Sequence, residues 1–268
     1  MNPHFVAVVT GSSSGIGQAT AVEFSRRGCE LVIHGRSNLS GLAATASKIR
    51  QASGNQSGIT SMIADLDCAR SSRSLLDAVF DRFGYVDAWV HAAGADVLTG
   101  SAKNCNFEEK LNRLWRTDVE GTMRLSRWVA GRMMQQPLRP QLPSMIHLGW
   151  DQSCEGMEGD SGQYFCAVKA AVSAFSKSLA KSVGPRVRVN CVAPGWIQTE
   201  WGSGVSQDWE RRATGESILQ RWGQPEDIAR VIVALCSPDF EFVNGQTIAV
   251  NGGWQSMLLS VRSNCTWN

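Results

Sequence analysis

The chain has 268 residues, 43% hydrophobic and 19% charged, with 26 Lys and Arg against 24 Asp and Glu. That length buries a substantial core in one large domain or two small ones, and a net charge of +2 offers neither a basic surface for nucleic acid nor a polybasic membrane anchor. No apolar run reaches the roughly 18 residues of a membrane span, and "MNPHFVAVVTG" at the N-terminus lacks the layout of a signal peptide, so the expected location is the cytoplasm.

The first candidate strand is "FVAVV" at 5–9. It leads into "GQATAVEFSRRG" at 17–28, where Ala19, Val22 and Phe24 supply an apolar helix face and Gly28 suits a C-cap. "ELVIHG" at 30–35, "ITSMIA" at 59–64 and "DAWVHAA" at 87–93 follow, separated by stretches of helical periodicity. "SMIHLGW" at 144–150, "RVRVNCVA" at 186–193 and "QTIAVNG" at 246–252 complete seven strands. Strand and helix alternating along the whole chain predict an α/β fold of βαβ units, with a parallel sheet covered on both faces. No linker or repeat divides it, so residues 1–253 form one domain and 254–268 a tail.

One segment breaks the rhythm. Residues 196–223 are long for an αβ connection and hold four of the ten tryptophans. They suit a lid or substrate wall, or a pair of short amphipathic helices packed for stability. The eight cysteines contain no C-x-x-C and no Cys/His cluster at zinc spacing, which predicts idle thiols in a reducing compartment and no metal.

"VVTGSSSGIGQAT" at 8–20 sets Gly11, Gly15 and Gly17 between the first strand and the first helix. Glycines there let backbone amides approach a pyrophosphate, and the helix N-terminus adds partial positive charge. The strand–turn–helix context predicts nucleotide binding. This T-G-x-x-x-G-x-G run, "HAAG" at 91–94 where N-N-A-G is usual, "CVAPGWIQTE" at 191–200, "RWGQPEDIA" at 221–229 and "NGQTIAVNGG" at 244–253 resemble, in order, the short-chain dehydrogenase/reductase family.

The resemblance implies a single Rossmann-like, doubly wound domain with seven parallel strands, usually in a homodimer or homotetramer. It implies that Gly11, Ser13, Ser14, Gly15, Ile16 and Gly17 cradle the pyrophosphate. Asp65 and Leu66 would receive the adenine, and Ala92, Ala93 and Gly94 would pass under its ribose. Pro194, Gly195, Ile197 and Thr199 would hold the nicotinamide end. At the close of the second strand, "VIHGRS" offers Arg36 and Ser37 where an acid would bind the ribose 2′-hydroxyl of NAD. An arginine there can pair with the 2′-phosphate, so the expected cofactor is NADP(H) in preference to NAD(H), with a small carbonyl or alcohol as substrate.

Family members that reduce ketones use a tyrosine as proton donor, a lysine four residues later that also binds the nicotinamide ribose, a serine and an asparagine. Here Lys169 matches the lysine, but the position four before it is Phe165, with no proton to give. Gly149 and Trp150 stand where the serine is expected, and Asp118 where the asparagine is expected. Tyr164 precedes Lys169 by five residues, so a register shift or a π-bulge near the helix start would be needed to turn it toward the lysine's face. Asp151, at the end of the fifth strand, is the other candidate, since apolar surroundings would raise its pKa enough for acid catalysis. Ser153 offers a hydroxyl in the same loop, and His147 reads as a core histidine. These departures leave two functions open, an oxidoreductase with a non-standard proton donor and a nucleotide-binding protein without turnover.

Overall fold

The computed structural model describes residues 4–199 and 206–254. Seven strands, β1 (Val6–Thr10), β2 (Glu30–Gly35), β3 (Ile59–Ile63), β4 (Ala88–His91), β5 (Ser144–Leu148), β6 (Arg188–Pro194) and β7 (Thr247–Val250), form one sheet in the order β3-β2-β1-β4-β5-β6-β7. Every pairing is parallel. The fold is the doubly wound α/β architecture that the alternation of elements predicts. The predicted tail, apart from Trp254, lies outside the described residues.

The strand period of two assigns each side chain of β1 to a core layer. Ala7 and Val9 pack under α1 (Gly15–Ser25), α2 (Leu39–Ser53) and α8 (Pro225–Leu235), through Phe24, Ile49, Ile228 and Ile232. Val6 and Val8 face α3 (Ala69–Phe83), α5 (Thr122–Gln135) and α6 (Gly159–Val183), through Leu76, Val79, Leu125 and Met133. A third cluster of Val97, Leu114, Val119, Tyr164, Val168 and Val172 joins α6 to α4 (Phe107–Leu114).

Two local features position the site. Strand order reverses direction between β1 and β4, which opens a crevice at their carboxyl ends, the usual ligand position in open α/β sheets. Between α4 and α5 the helix widens into a π-helical stretch, Trp115–Gly121, with Asp118 on it. A Cβ on Gly121 would lie 2.9 Å from the Leu66 carbonyl oxygen, so that stretch packs directly on the loop after β3.

Candidate active site

The nucleotide end begins with the turn after β1. Gly11 has φ +67°, and a Cβ there would lie 2.5 Å from Ala93 Cα; on Gly17 it would lie 2.2 Å from the Gly11 carbonyl oxygen. Only glycine lets the loop press against the end of β4. Beneath it the Ser12 amide donates to His34 O at 2.9 Å, the His34 amide donates to Ser12 Oγ at 2.8 Å, and the Gly11 amide donates to His34 Nδ1 at 3.3 Å. His34 Nε2 then donates to Ala64 O at 2.9 Å, and burial holds this imidazole below its ordinary pKa. Ser13, Ser14, Gly15 and Ile16 are left at the surface of the crevice, where α1 begins without a side-chain cap.

Arg36 and Ser37 are exposed at the end of β2, and Arg36 has no ion pair among the described residues. The loop carrying Asp65 and Leu66 is pinned from two sides: Arg124 donates to Leu66 O at 2.5 Å, and Thr117 donates to Asp67 Oδ1 at 2.6 Å. Ala92, Ala93 and Gly94 continue from β4, and the Ala93 amide donates to Thr10 Oγ1 at 3.3 Å. A helix terminus without a side-chain cap and a glycine cradle are a donor set that suits the pyrophosphate of a dinucleotide, and the Arg36 guanidinium stands exposed at the end of the neighbouring strand.

At the other end, Lys169 Nζ donates to Asp118 Oδ2 at 2.8 Å, and Asp118 Oδ1 accepts the Ala95 amide at 2.7 Å. This ion pair joins Asp118 to a lysine 51 residues away in the chain. Helix α6 is a continuous α-helix over Gly159–Val183, so the bulge needed to turn Tyr164 toward Lys169 is not formed. Tyr164 is 2% exposed, its hydroxyl bonded to Ser161 Oγ at 2.9 Å and its ring packed on Phe107 at 5.8 Å between centroids. Phe165 contacts the Trp150 ring edge-on at 6.2 Å. Gly149 has no room for the family serine without movement, since a Cβ would lie 2.7 Å from Ser173 Oγ and 2.9 Å from Cys191 Sγ.

Asp151 lies where β5, β6 and β7 end together. Its Oδ2 accepts from Asn251 Nδ2 at 2.9 Å, and its Oδ1 accepts the Gln152 amide at 2.8 Å. Burial pushes its pKa up to about 6; the hydrogen bonds from Asn251 and the backbone oppose that shift, and the Glu216 charge reinforces it. Gly195 lies against this carboxylate, a Cβ there falling 3.3 Å from Asp151 Oδ2 and 2.5 Å from Asn251 Cβ. Thr199 Cγ2 lies 3.6 Å from the Cβ position of Gly15, which brings the two ends of the crevice together. Pro194 closes β6, and buried Ile197 pairs with Gly223. Ser153 is turned away, donating to Trp150 O at 2.7 Å.

Part of the long segment after β6 forms α7 (Gln207–Glu216), which brings Trp209 to 5.4 Å from the Trp196 ring; Trp150 and Trp222 contact Trp196 at 6.4 and 6.3 Å. Trp201, also in that segment, lies outside the described residues. Glu216, Gln152 and Asn251 are polar groups of this end that sequence reasoning did not single out. Only Asn251 carried a signal, through "NGQTIAVNGG". Among the described residues no cluster suits a metal ion, and no helix is long and apolar enough to cross a membrane.

Comparison with known proteins gives concordant results. A family model described as Enoyl-(Acyl carrier protein) reductase matches residues 11–255. The 3-oxoacyl-[acyl-carrier-protein] reductase of Vibrio harveyi is 33% identical over 253 residues, 92% of this chain and 96% of that protein. Its counterpart in Escherichia coli (strain K12) is 32% identical over 252 residues, with the same coverage. A 3-oxoacyl-[acyl-carrier protein] reductase from Brucella melitensis, solved in complex with NAD, matches with a TM-score of 0.82 at 25% identity, over 94% of this chain and 97% of that one. A second structure from that organism, a short-chain dehydrogenase/reductase, matches with a TM-score of 0.79 at 27% identity, over 96% and 98%.

Proposed function

The chain belongs to the short-chain dehydrogenase/reductase family of oxidoreductases, and from that premise we propose that it interconverts a carbonyl and an alcohol with NADP(H), using Asp151 as a non-standard proton donor. The observation that carries this reading is the buried Asp151 carboxyl, raised to about 6, against Gly195 at the meeting of three strand ends. By family analogy the nicotinamide end of the cofactor lies along Pro194, Gly195, Ile197 and Thr199, and when bound the nicotinamide supplies or accepts the hydride. The glycine-rich turn holds the pyrophosphate, Arg36 and Ser37 hold the 2′-phosphate, and Asp65 and Leu66 receive the adenine. Bound NAD in the Brucella relative speaks for the dinucleotide; unpaired Arg36 speaks for its phosphorylated form here.

Lys169 keeps its ribose-binding place, steadied by Asp118. Below its raised pKa, Asp151 carries a proton that neutralises the alkoxide formed when a carbonyl takes up hydride; above it, the carboxylate accepts the proton of an alcohol. Carbonyl reduction therefore falls as pH rises through about 6, and alcohol oxidation rises. The substrate is a small carbonyl or alcohol of the 3-oxoacyl or general ketone class, and the working form is a cytoplasmic homodimer or homotetramer, as is usual in the family.

A second reading, a cofactor-binding protein without turnover, draws on Phe165 and the fixed Lys169–Asp118 pair. Both are tested by NADPH oxidation with 3-oxoacyl thioesters and aryl ketones, alongside NADPH binding by fluorescence. Asp151→Asn is expected to lower kcat by about 10²- to 10⁴-fold and leave the NADPH Kd within about twofold. An unchanged kcat in this variant removes Asp151 from the chemistry, and tight NADPH binding with no turnover by the unaltered protein favours the second reading.

A further inference from the structure

Glu216, the last residue of α7, is 8% exposed, and a carboxylate buried to that degree requires compensation by donors. It has three. Its Oε2 accepts from Trp196 Nε1 at 2.7 Å and from Gln152 Nε2 at 3.1 Å, and its Oε1 accepts from Arg212 Nε at 2.9 Å. Arg212 continues outward to the Glu158 carboxylate, at 2.5 and 3.1 Å, and its guanidinium lies 5.8 and 5.4 Å from the Trp196 and Trp209 ring centroids. One carboxylate thus ties together α7, the turn after β5 and the loop after β6. Gln152 is the neighbour of Asp151, and Trp196 is the neighbour of Gly195, which lies against the Asp151 carboxylate.

We propose that Glu216 is a positioning residue that clamps α7 onto the strand ends and, through Gln152 and Trp196, fixes the two segments bracketing Asp151. Its functional consequence rests on the reading of Asp151 as the proton donor. Being anionic, Glu216 also opposes ionisation of Asp151, in the same direction as burial. The other groups facing Asp151 are Asn251, just after β7, which favours the carboxylate by hydrogen bonding, and the Cys166 thiol from α6. Arg212 and Glu158 complete the charges around Glu216. Arg212 partly neutralises Glu216, so the clamp has a sign that mutation can reverse.

The test is the titration of the Asp151 carboxyl by NMR in protein carrying 13C-carboxyl aspartate, with the signal assigned by its absence in Asp151→Asn. Glu216→Gln keeps an acceptor for Trp196 but removes the charge, and the Asp151 midpoint moves to lower pH. Glu216→Asp keeps the charge and shifts it less. Arg212→Gln leaves Glu216 un-neutralised, and the midpoint moves to higher pH. Mere loosening of α7 would admit water and lower the midpoint in both the Glu216→Gln and Arg212→Gln variants, so a shared downward shift overturns the proposal, as does no shift in either. The pH–rate profile separates the two readings: opposite NMR shifts with an unmoved profile uphold the Glu216 clamp and refute Asp151 as donor.

Discussion

One oxygen in place of an amide nitrogen changes what the residue at position 118 does. A carboxylate is acceptor-only, so Asp118 takes the Ala95 amide on one oxygen and Lys169 on the other and makes a full ion pair with it. In the proposed reading Lys169 binds the ribose, and with Phe165 in place of a tyrosine four residues before it the proton comes from another group. At the opposite end of the crevice, the exposed Arg36 guanidinium is the basis of the proposed preference for NADPH over NADH. Charge-assisted hydrogen bonds contribute about 1.5–3 kcal/mol, so Arg36→Ala is expected to raise the NADPH Kd by about 10- to 100-fold while NADH affinity stays within about twofold, read by fluorescence titration of both cofactors. Much at this scale was legible in the sequence. The five-residue spacing of Tyr164 and Lys169 placed them on different faces of a regular helix, and the helix is regular. What was not legible is set by distance along the chain: Lys169 meets Asp118 across 51 residues, and Glu216 meets Gln152 across 64.

The elements explain why restoring the family pattern residue by residue would fail. At the end of β5, Gly149 faces Ser173 of α6 and Cys191 of β6, whose side chains touch at 3.5 Å. A side chain at position 149 forces both to turn away, and such overpacking costs about 1–2 kcal/mol. Gly149→Ser is therefore expected to lower the denaturation midpoint with no gain in carbonyl reduction, and Gly149→Ala to lower it by a similar amount, because the Cβ alone makes the clash. All seven strands were readable from their apolar runs, with ends displaced by a few residues; the five interior strands are buried on both faces and so need near-continuous hydrophobicity. The π-helical stretch Trp115–Gly121 was not, because it follows from packing against the loop after β3, and no local composition marks it.

Across the whole molecule, buried imidazoles link the fold to pH. Ser126 donates to Thr122 O at 2.7 Å, so it accepts Nε2–H from both His91 at 3.0 Å and His147 at 2.8 Å, while His147 Nδ1 accepts from Ser176 at 3.1 Å. In this arrangement both rings donate through Nε2, His147 Nδ1 faces a hydroxyl and His91 Nδ1 has no partner, so a second proton on either ring would be buried without an opposing charge. Burial lowers His147 to about 3, His91 well below its ordinary value, and His34 below it as well. The unfolded chain binds protons at these sites from about 6.5 downward and the folded chain does not, so their contribution to stability is full above that pH and is lost as pH falls. Asp151, raised to about 6, acts in the opposite sense: its charge costs stability above that pH, and protonation relieves the cost. Denaturant unfolding is expected to show a midpoint that declines between pH 7.5 and 5, and Asp151→Asn should stabilise the protein by about 1 kcal/mol more at pH 7.5 than at pH 5. Histidine 147 read as a core residue from its place within a strand; its sharing of one hydroxyl with His91 required the register that sets them side by side. The account turns on Asp151, and the most direct test is a crystal structure with NADP bound. The predicted result places the Asp151 carboxyl about 3 Å from a substrate oxygen held beside nicotinamide C4, close enough to give it a proton. A nicotinamide faced by Phe165 alone, with the Asp151 carboxyl out of reach of any substrate oxygen, would contradict it.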